Sequence, residues 1–558
     1  EGYGADACGC PILVDGCLYT YARSTLYKVD AVSGQVLATG AMDHSSSFAI
    51  NNPTYAEGMI FVGLSDGTIQ AFDAVTLRSV WIYRDPLKGQ PNSPIVYHDG
   101  YIYTGFWNGE EKDANYVCLS VTDEDPTRGD EGKLATWTYT SKGGFYWAGA
   151  YVCDTAVVVP TDDGANGYVT GHARLLSLSP KTGFLQDAVT MAEPGDLRSA
   201  VTYDNGQCYF TSKGGYFYRI GLRGDGTFEP GSLRGLKLYN YANDAANPAM
   251  STSTPTVYNG RAYVGVSGVG QFKAYSGHNI TVIDLASWRI AYTVRTQGYP
   301  QTSALLTTAY EAETGYVYVY FFDNFTPGKL RLLRDQPGQT APDVTTPETI
   351  VAGGQTVTYD TAPVLFTPSG AQQQYAICSP ITDESGTIYF KNDSAFLMAL
   401  TSTITKLEIT AAPDKTAYRE GESFDPAGMQ IKAHYANGYT RDVTKYVTWN
   451  TAPLTAADTR FRLEFPYAMY QNADGKTGVA CVKPSVMLSL TISALAAGDV
   501  NGDGVVDDVD AALVYGYVNG RLTLTDEQLL RADVNVDGLV DQNDAAQIYA
   551  AYLTDTGR

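Results

Sequence analysis

The chain of 558 residues carries 38 Lys and Arg against 60 Asp and Glu, which gives a formal net charge of −22. This charge excludes nucleic acid as a partner, because nucleic acid is bound by basic side chains that displace counterions. The length exceeds that of one ordinary domain, and 56 Gly and 42 Tyr with only 18% charged residues indicate turns and strands rather than long amphipathic helices. No run of about 18 apolar residues occurs, so we expect no membrane insertion.

One strand pattern recurs eight times between residues 1 and 402. Each copy has an apolar strand, an acidic or Asn-Gly turn, and a second strand that ends in Gly or a small residue. The copies begin near Pro11, Pro53, Pro94, Ala148, Ala200, Pro255, Ala304 and Pro380. A third and a fourth strand follow most copies, as between Thr25 and Gly40. Four short strands in about 40–50 residues are typical of one blade of a β-propeller.

The corner between the third and fourth strands carries a motif. It is clearest in Asp30-Ala31 with Gly34 and in Asp73-Ala74 with Trp81, and it is weak at Ser179, Lys181 and Gly183. These residues resemble the quinoprotein, or PQQ-like, propeller repeat. The resemblance implies a mostly β fold in which residues 1–402 form a seven- or eight-bladed propeller, and the eight copies favour eight blades. The eighth copy ends before a fourth strand, so the segment before Pro11 would close the ring.

The quinoprotein resemblance does not extend to the cofactor. Quinoprotein dehydrogenases hold PQQ over adjacent cysteines, beside a calcium site made of Glu, Asn and Asp. Here Cys8 and Cys10 are separated by a glycine, and no matching acidic set can be assigned. We therefore expect no PQQ. The Cys8–Cys10 segment could also be a redox or metal site. A buried cysteine pair, or a disulfide from Cys8 or Cys10 to Cys378, is the more ordinary explanation.

The residues just before each first strand are expected to ring the mouth of the propeller channel. Aromatic rings there could stack on sugar faces, and polar side chains could bond hydroxyl groups. We predict a glycan or protein ligand at Asn92, Tyr146, Trp147, Arg198, Tyr299 and Gln301. Phe106 and Trp107 form a second aromatic platform. The alternative is that Tyr146 and Trp147 simply pack between blades.

No catalytic residues can be assigned in the propeller. A polysaccharide lyase or hydrolase would need paired carboxylates or a His–Tyr–Arg group at the axis. The histidines of the propeller are spread over different copies, at His44, His98, His172 and His278. The sequence thus favours a non-catalytic binding or adhesion subunit, and a polysaccharide-degrading enzyme with its site in the propeller funnel remains the alternative.

Residues 403–495 break the repeat. Alternating strands divided by Pro, Gly and Asn-Gly turns predict a small β-sandwich. The segment resembles a bacterial immunoglobulin-like domain through Pro413, Tyr418, Gly421, Phe424 and Gly428. The resemblance implies that this domain serves as a spacer.

Two twelve-residue loops of oxygen-bearing side chains follow, from Asp499 to Asp510 and from Asp533 to Asp544. Their spacing is that of a calcium loop, with Gly504 at the sixth position, where the chain turns sharply. We predict two calcium ions, each held by side chains and one backbone carbonyl. The ligands are Asp499, Asn501, Asp503, the Val505 carbonyl, Asp507 and Asp510, then Asp533, Asn535, Asp537, the Leu539 carbonyl, Asp541 and Asp544.

Each loop is followed by a short helical pattern and lacks the entering helix of a full EF-hand. Over residues 498–558 this duplicated pattern resembles a type I dockerin. The resemblance implies a secreted protein, extracellular or attached to the cell surface through a scaffoldin, whose cohesin domain is the partner. Loop positions ten and eleven, often Ser or Thr in the family, would contact cohesin, and here they are Asp508, Val509, Gln542 and Asn543.

Overall fold

The computed structural model describes residues 9–45, 52–241, 248–268, 277–352, 355–465, 469–470, 481–493 and 496–555. Within these residues the chain divides into two compact units, residues 9–401 and residues 402–555. The prediction of a mostly β fold is confirmed. Among the described helices, none is both long and apolar enough to cross a membrane.

The first unit consists of short strands, several of which, such as Ala156–Pro160 and Arg261–Gly268, are buried along their whole length. Those of its first three sheets are β1 (Ile12–Val14), β2 (Cys17–Ala22), β3 (Thr25–Asp30), β4 (Val36–Ala41), β5 (Thr54–Ala56), β6 (Met59–Leu64), β7 (Thr68–Asp73), β8 (Ser79–Arg84), β9 (Val96–His98), β10 (Tyr101–Gly105), β11 (Asp113–Ser120), β12 (Glu131–Lys133) and β13 (Trp137–Lys142). Those of the next two are β14 (Tyr151–Cys153), β15 (Ala156–Pro160), β16 (Arg174–Leu178), β17 (Leu185–Thr190), β18 (Thr202–Asp204), β19 (Gln207–Thr211), β20 (Tyr216–Gly221) and β21 (Arg234–Lys237).

The remaining elements of the first unit include one short helix, α1, and a 3₁₀ turn at Gly370–Gln372. They are β22 (Ala249–Met250), β23 (Thr256–Tyr258), β24 (Arg261–Gly268), β25 (Asn279–Asp284), β26 (Arg289–Arg295), β27 (Leu305–Thr307), α1 (Glu311–Thr314), β28 (Val317–Asp323), β29 (Lys329–Asp335), β30 (Thr346–Ala352), β31 (Gln355–Thr361), β32 (Val364–Phe366), β33 (Ile381–Thr382), β34 (Ile388–Lys391) and β35 (Leu397–Leu400).

In the described residues these strands form eight successive sheets, each built mainly by antiparallel pairing. Sheets one and two are β1–β4 and β5–β8, and sheet three is β9, β10, β11 and β13. Sheets four and five are β14–β17 and β18–β21, and sheet six is β23–β26 with additions. Sheet seven is β27, β28, β29 and β32, and sheet eight is β33–β35. Each sheet begins where the sequence pattern predicted a copy to begin.

Apolar side chains on the sheet faces form one buried cluster between each pair of consecutive sheets. A further cluster joins the last sheet to the first, where Tyr389 packs against Leu18 and Val29. The Tyr389 hydroxyl also donates to the carbonyl of Ala31, at 3.1 Å. The order of clusters therefore returns to its starting sheet. The predicted closing strand before Pro11 falls largely on residues 1–8, which lie outside the described residues.

The corner between the third and fourth strands forms the same turn where the sequence motif is clear and where it is weak. In the clear copy, the Gly34 amide donates to the Asp30 carbonyl at 2.9 Å, and Gly34 has a φ of 72°. In the weak copy, the Gly183 amide donates to the Ser179 carbonyl at 2.8 Å with a φ of 69°. Trp288 holds the equivalent position in sheet six with a φ of 54°. The turn thus depends on backbone geometry more than on the motif residues.

Two additions were not predicted from the repeat. Strand β12 pairs in parallel with β8 and extends sheet two. The hairpin of β30 and β31 is inserted in sheet seven, and β31 meets β26 of sheet six at Arg295 and Thr361.

The second unit contains β36 (Ile404–Ala411), β37 (Ala417–Arg419), β38 (Gln430–Tyr435), β39 (Thr440–Asp442), β40 (Arg460–Glu464), β41 (Met469–Tyr470), β42 (Cys481–Val482), β43 (Ser485–Ser489), β44 (Thr491–Ser493), α2 (Asp508–Val518), α3 (Asp526–Ala532) and α4 (Gln542–Asp555). A 3₁₀ turn lies at Thr444–Tyr446. Its strands form small sheets, of which β36, β38 and β39 make the largest. Helices α2 and α4 pack through a core that includes Val514 and Ile548.

Candidate functional site

The two predicted calcium loops have backbone amides turned toward their first carboxylate. The Asp499 carboxylate accepts hydrogen bonds from the amides of Gly502 at 2.8 Å, Asp503 at 3.1 Å and Gly504 at 3.0 Å. The carboxylate of Asp510, in the first turn of α2, accepts from the Asn501 amide at 2.8 Å. These bonds draw both ends of the loop around one small volume.

The second loop repeats the arrangement 34 residues later. Asp533 accepts from the amides of Asp537 at 3.1 Å and Gly538 at 2.9 Å. Asp544 accepts from the Val534 amide at 3.0 Å and lies fully buried, as Asp510 does. The two loops are therefore similar, although Asp544 accepts from the second residue of its loop where Asp510 accepts from the third. Helix α3 ends at Ala532, directly before the second loop, so the prediction that neither loop has an entering helix is wrong for that loop.

The donor set of each loop fits calcium. Four carboxylates, one Asn amide oxygen and one backbone carbonyl are hard oxygen ligands, and a flexible cage of six to eight such ligands is what calcium prefers. Magnesium demands a tighter octahedron and usually keeps several waters. Removing metal would leave the carboxylates of each loop to repel one another.

Exposed apolar side chains are common around these loops. Val505 and Leu539, at the seventh position of each loop, are 58% and 67% exposed, and Tyr515 and Tyr549 on the following helices are 52% and 47% exposed. The predicted cohesin-contact residues are exposed as well: Asp508, Val509, Gln542 and Asn543. Exposed apolar residues at a 34-residue interval provide two similar faces to which a partner could dock.

In the first unit, three of the predicted ligand residues come together around one guanidinium group. The Arg198 guanidinium carbon lies 4.5 Å from the ring centre of Tyr146. The Tyr146 ring lies 4.7 Å from that of Trp147 and 4.9 Å from that of Trp107. We use the name aromatic–arginine cluster for Trp107, Tyr146, Trp147, Arg198 and the three carboxyl groups beside Arg198, which are those of Glu110, Asp162 and Asp196.

Two nitrogens of the Arg198 guanidinium, Nε and Nη2, are paired with protein carboxylates. Its Nη2 donates to Glu110 Oε2 at 2.8 Å, and its Nε donates to Asp162 Oδ1 at 3.0 Å. Asp196 Oδ2 lies 3.0 Å from Nη2. Asp162 and Asp196 are completely buried and the Arg198 side chain is only 3% exposed, which argues against the predicted role of Arg198 as a hydrogen-bond donor to a ligand. Arg198 instead orients the aromatic rings that cover it.

Sequence reasoning did not assign the carboxylates that hold Arg198. Burial raises the pKa of Asp196 to about 8, with Asp162 adding to the effect, and burial raises the pKa of Asp162 to about 7 against the charge of Arg198. Asp162 has two hydrogen bonds from Arg198. Asp196 Oδ2 has no hydrogen bond from any described residue. We therefore assign a proton at neutral pH to Asp196 and leave Asp162 ionised beside Arg198.

A proton on Asp196 makes stability depend on pH. Because its pKa is raised in the fold, its contribution to the free energy of unfolding is full below about pH 4 and is lost as the pH rises to about 8. Asp196→Asn should flatten this decline by up to about 1.4 kcal/mol per pH unit. Urea denaturation of both proteins between pH 5 and 8 measures how the free energy of unfolding depends on pH. Asp99→Asn, at an exposed turn, is the control, and parallel pH curves for wild type and Asp196→Asn would refute the assignment.

The other predicted ligand residues lie differently. Asn92 connects to the aromatic–arginine cluster through Gln90, whose Oε1 accepts from Asn92 Nδ2 at 3.1 Å and whose backbone pairs with Trp107. Tyr299 is buried, and its hydroxyl accepts from the Thr252 amide at 2.7 Å. Gln301 accepts from Asn324 Nδ2 at 3.2 Å. Tyr299 and Gln301 therefore belong to a separate polar group, and Phe106, the second platform's other ring, is core.

The cysteines of the first segment lie in a packed environment. Cys10 and Cys378 share a buried cluster between sheets seven and eight with Phe322 and Leu330. The Ser379 amide donates to Cys10 Sγ at 2.9 Å. Cys10 and Cys378 are not joined by a disulfide. Cys8 lies outside the described residues.

Comparison with known proteins agrees with the motifs at both ends of the sequence. Residues 497–552 match the type I dockerin domain model, and residues 6–111 match a model described as outer membrane protein assembly factor BamB, of the PQQ-like repeat type. No curated protein sequence matches the chain.

Three solved structures are similar to this chain. BamB from Moraxella catarrhalis is 12% identical, with 72% of this chain and 95% of that chain covered and a TM-score of 0.46. A europium-containing methanol dehydrogenase is 11% identical over 70% and 83% of the two chains, with a TM-score of 0.47. Quinohemoprotein alcohol dehydrogenase from Comamonas testosteroni is 15% identical over 70% of each chain, with a TM-score of 0.47.

The chain therefore carries a PQQ-like β-propeller repeat domain and a type I dockerin domain, and the predicted resemblance is confirmed. Type I dockerins bind calcium and dock to cohesin domains in extracellular complexes of the cellulosome kind. The protein is thus a cohesin-binding subunit of such a complex.

Proposed function

We propose that this protein is a non-catalytic binding subunit, in which an eight-bladed propeller at residues 1–402 carries a glycan site. An immunoglobulin-like sandwich at residues 403–495 serves as a spacer, and a dockerin at residues 498–558 docks through two calcium ions. The eight clusters that link the sheets in a ring support the blade number. Calcium is assigned to the two six-ligand loops, and cohesin contact to Asp508, Val509, Gln542 and Asn543.

The observation that carries the glycan assignment is the group of half-exposed aromatic rings at Trp107, Tyr146 and Trp147. Sugars present CH faces that stack on such rings and hydroxyl groups that need partners. Neither indole nitrogen, of Trp107 or of Trp147, has an acceptor among the described residues. Both nitrogens are buried, so a sugar would contact the ring faces rather than these N–H groups.

The burial of the acidic pair argues for binding over catalysis. A glycosidase needs two carboxyl groups that reach the scissile bond. Asp162 and Asp196 have oxygens within 4.8 Å of each other, but both side chains are completely buried and engaged by Arg198. Their geometry supports a role in holding the aromatic rings.

The residues around Cys10 do not fit PQQ. A quinone stacked on a cysteine pair requires an open slot beside the sulfur, whereas Cys10 is 4% exposed and packed among Phe322, Leu330 and Phe390. We therefore propose a propeller without a quinone.

Trp147→Ala tests the glycan site. If Trp147 stacks on a sugar, binding of cello-, xylo-, manno- or malto-oligosaccharides by the full chain should weaken by about 1–3 kcal/mol, the range for losing an aromatic anchor. Calorimetric titration gives the affinity, and thermal melting of the same variant gives the stability. Trp449→Ala is the matched control, because that partly buried indole lies in the second unit and packs against Phe424.

Two results would contradict the proposal. Unchanged affinity in the folded fraction of Trp147→Ala, with a lowered melting temperature, would make Trp147 a packing residue only. Release of reducing sugars from plant polysaccharides or starch by the wild-type chain would favour the polysaccharide-degrading alternative.

A further inference from the structure

Two arginines face each other across strands β20 and β21 of sheet five. Arg219 and Arg234 are direct cross-strand partners in the antiparallel register. Directly opposed residues of such a pair project from the same face with Cβ atoms about 4.5–5.5 Å apart, and like charges there are destabilising. In a chain with a net charge of −22, a pair of adjacent positive charges is unexpected.

Neither arginine is neutralised by a carboxylate in the described part of the chain. Arg219 is half-buried, donates from Nη1 to the Leu285 carbonyl at 3.2 Å and stacks 4.5 Å from the Trp288 ring centre. Arg234 is exposed and donates from Nη1 to the carbonyls of Gly231 at 2.8 Å and Leu233 at 2.9 Å. Each guanidinium is thus fixed through one nitrogen, while its other nitrogens remain available to an anion.

The two arginines line a cleft of about 480 Å³, which we call the arginine cleft. Its other walls come from Gln207 and from the loop Glu229 to Ser232. The charged lining is two arginines against one glutamate, so the cleft is positive. The volume far exceeds that of a single inorganic ion, and it is within the range of small-ligand sites.

The Gln207 and Glu229 side chains approach the cleft from beside Gly221. A Cβ on Gly221 would lie 2.6 Å from Glu229 Oε2 and 3.3 Å from Gln207 Nε2, so the glycine leaves room for both polar groups. The Ser232 hydroxyl is held by the Gly221 amide at 3.0 Å. An amide and a carboxylate next to two guanidinium groups suit a molecule that carries both hydroxyl groups and an acidic group.

We propose that the arginine cleft binds an acidic sugar, with its carboxylate bridging Arg219 and Arg234 and its hydroxyl groups bonded by Gln207 and Glu229. The anion would remove the repulsion between the two guanidinium groups, and planar guanidinium groups match the two oxygens of a carboxylate. The site is independent of the aromatic–arginine cluster, since it shares no residue with it. The arginine cleft would thus bind polysaccharides that carry uronic acids, in addition to the neutral glycan proposed for the aromatic–arginine cluster.

The test is calorimetric titration of the calcium-loaded full chain with α-1,4-linked tetragalacturonate, with maltotetraose as the neutral oligomer of the same linkage. We expect tetragalacturonate to bind with a Kd below about 1 mM, and more weakly at high salt because Arg234 is exposed. Arg234→Gln should weaken it at least tenfold. Arg234→Lys keeps the charge but loses the planar guanidinium group, so its affinity for tetragalacturonate should lie between those of the wild type and Arg234→Gln.

Lys237→Gln is the matched control, because it removes the same charge from the same strand outside the cleft lining. It should change affinity less than twofold. Absence of tetragalacturonate binding, equal binding of maltotetraose, or unchanged affinity in Arg234→Gln would each overturn the proposal. Sulfate binding as tightly as the tetramer would also overturn it, since the cleft would then hold a small anion only. Trp147→Ala should leave tetragalacturonate affinity unchanged, which separates this site from the proposed glycan site.

Discussion

Replacing Asp499 and Asp533 together with Ala will abolish binding to type I cohesins. Each carboxylate accepts hydrogen bonds from at least two backbone amides of its loop and is the proposed first calcium ligand, so its removal should take away both the cation and the loop closure. Surface plasmon resonance against a panel of immobilised cohesins should show at least a hundredfold loss. The melting of the first compact unit should not change, because separate cores unfold separately.

Asp526→Ala is the control for this double variant. It removes an exposed aspartate from the first turn of α3, outside both loops, and should leave cohesin affinity and calcium stoichiometry unchanged. Wild-type chain should bind two calcium ions by calorimetry. Cohesin binding that survives in the double variant or in excess chelator would contradict a calcium-dependent dockerin.

Arg198→Met will destabilise the first unit by about 3–5 kcal/mol, because removing one partner of a buried ion network leaves the others uncompensated. Glu110 and the completely buried Asp162 would lose their cation. Chemical denaturation monitored by tryptophan fluorescence gives the free energy of unfolding. Adding Asp162→Asn should reduce the loss, since it removes the buried carboxylate that Arg198→Met leaves without its cation.

The control for Arg198 is a surface arginine. Arg128 is 58% exposed and pairs with Asp130 at 3.3 Å, and Arg128→Ala should cost less than about 1 kcal/mol. A loss of similar size for Arg198→Met would mean that the buried ions do not hold the aromatic rings. The glycan proposal would then lose its support.

The sequence predicted the strands of the first unit well because their pattern is local. Alternating apolar residues and turn residues fix a two-strand unit within about a dozen positions. The structure starts sheets at Ile12, Thr54 and Val96, within two residues of the predicted copies. Even the weak corner at Ser179 forms the common turn. The inserted hairpin of β30 and β31 was missed because it has its own pattern and belongs to no copy.

The candidate site was predicted only in part because it depends on tertiary contacts. Position before a first strand identified Tyr146, Trp147 and Arg198, which do converge. The same rule also selected Tyr299, whose hydroxyl satisfies a buried amide instead. Glu110 comes from a loop 88 residues away from Arg198, and no spacing rule links them. The two calcium loops could be predicted from the sequence because all the proposed ligands of each loop lie within twelve residues.

The central claim is that one chain joins a cohesin to a polysaccharide, and a bridging measurement tests it most directly. A type I cohesin on a sensor surface should capture the full chain in calcium, and the captured chain should then retain neutral plant oligosaccharide. Trp147→Ala should be captured equally but retain at least fivefold less sugar, and chelator should release both chain and sugar. Capture that persists in chelator, or a captured wild-type chain that retains none of the oligosaccharides, would contradict the account.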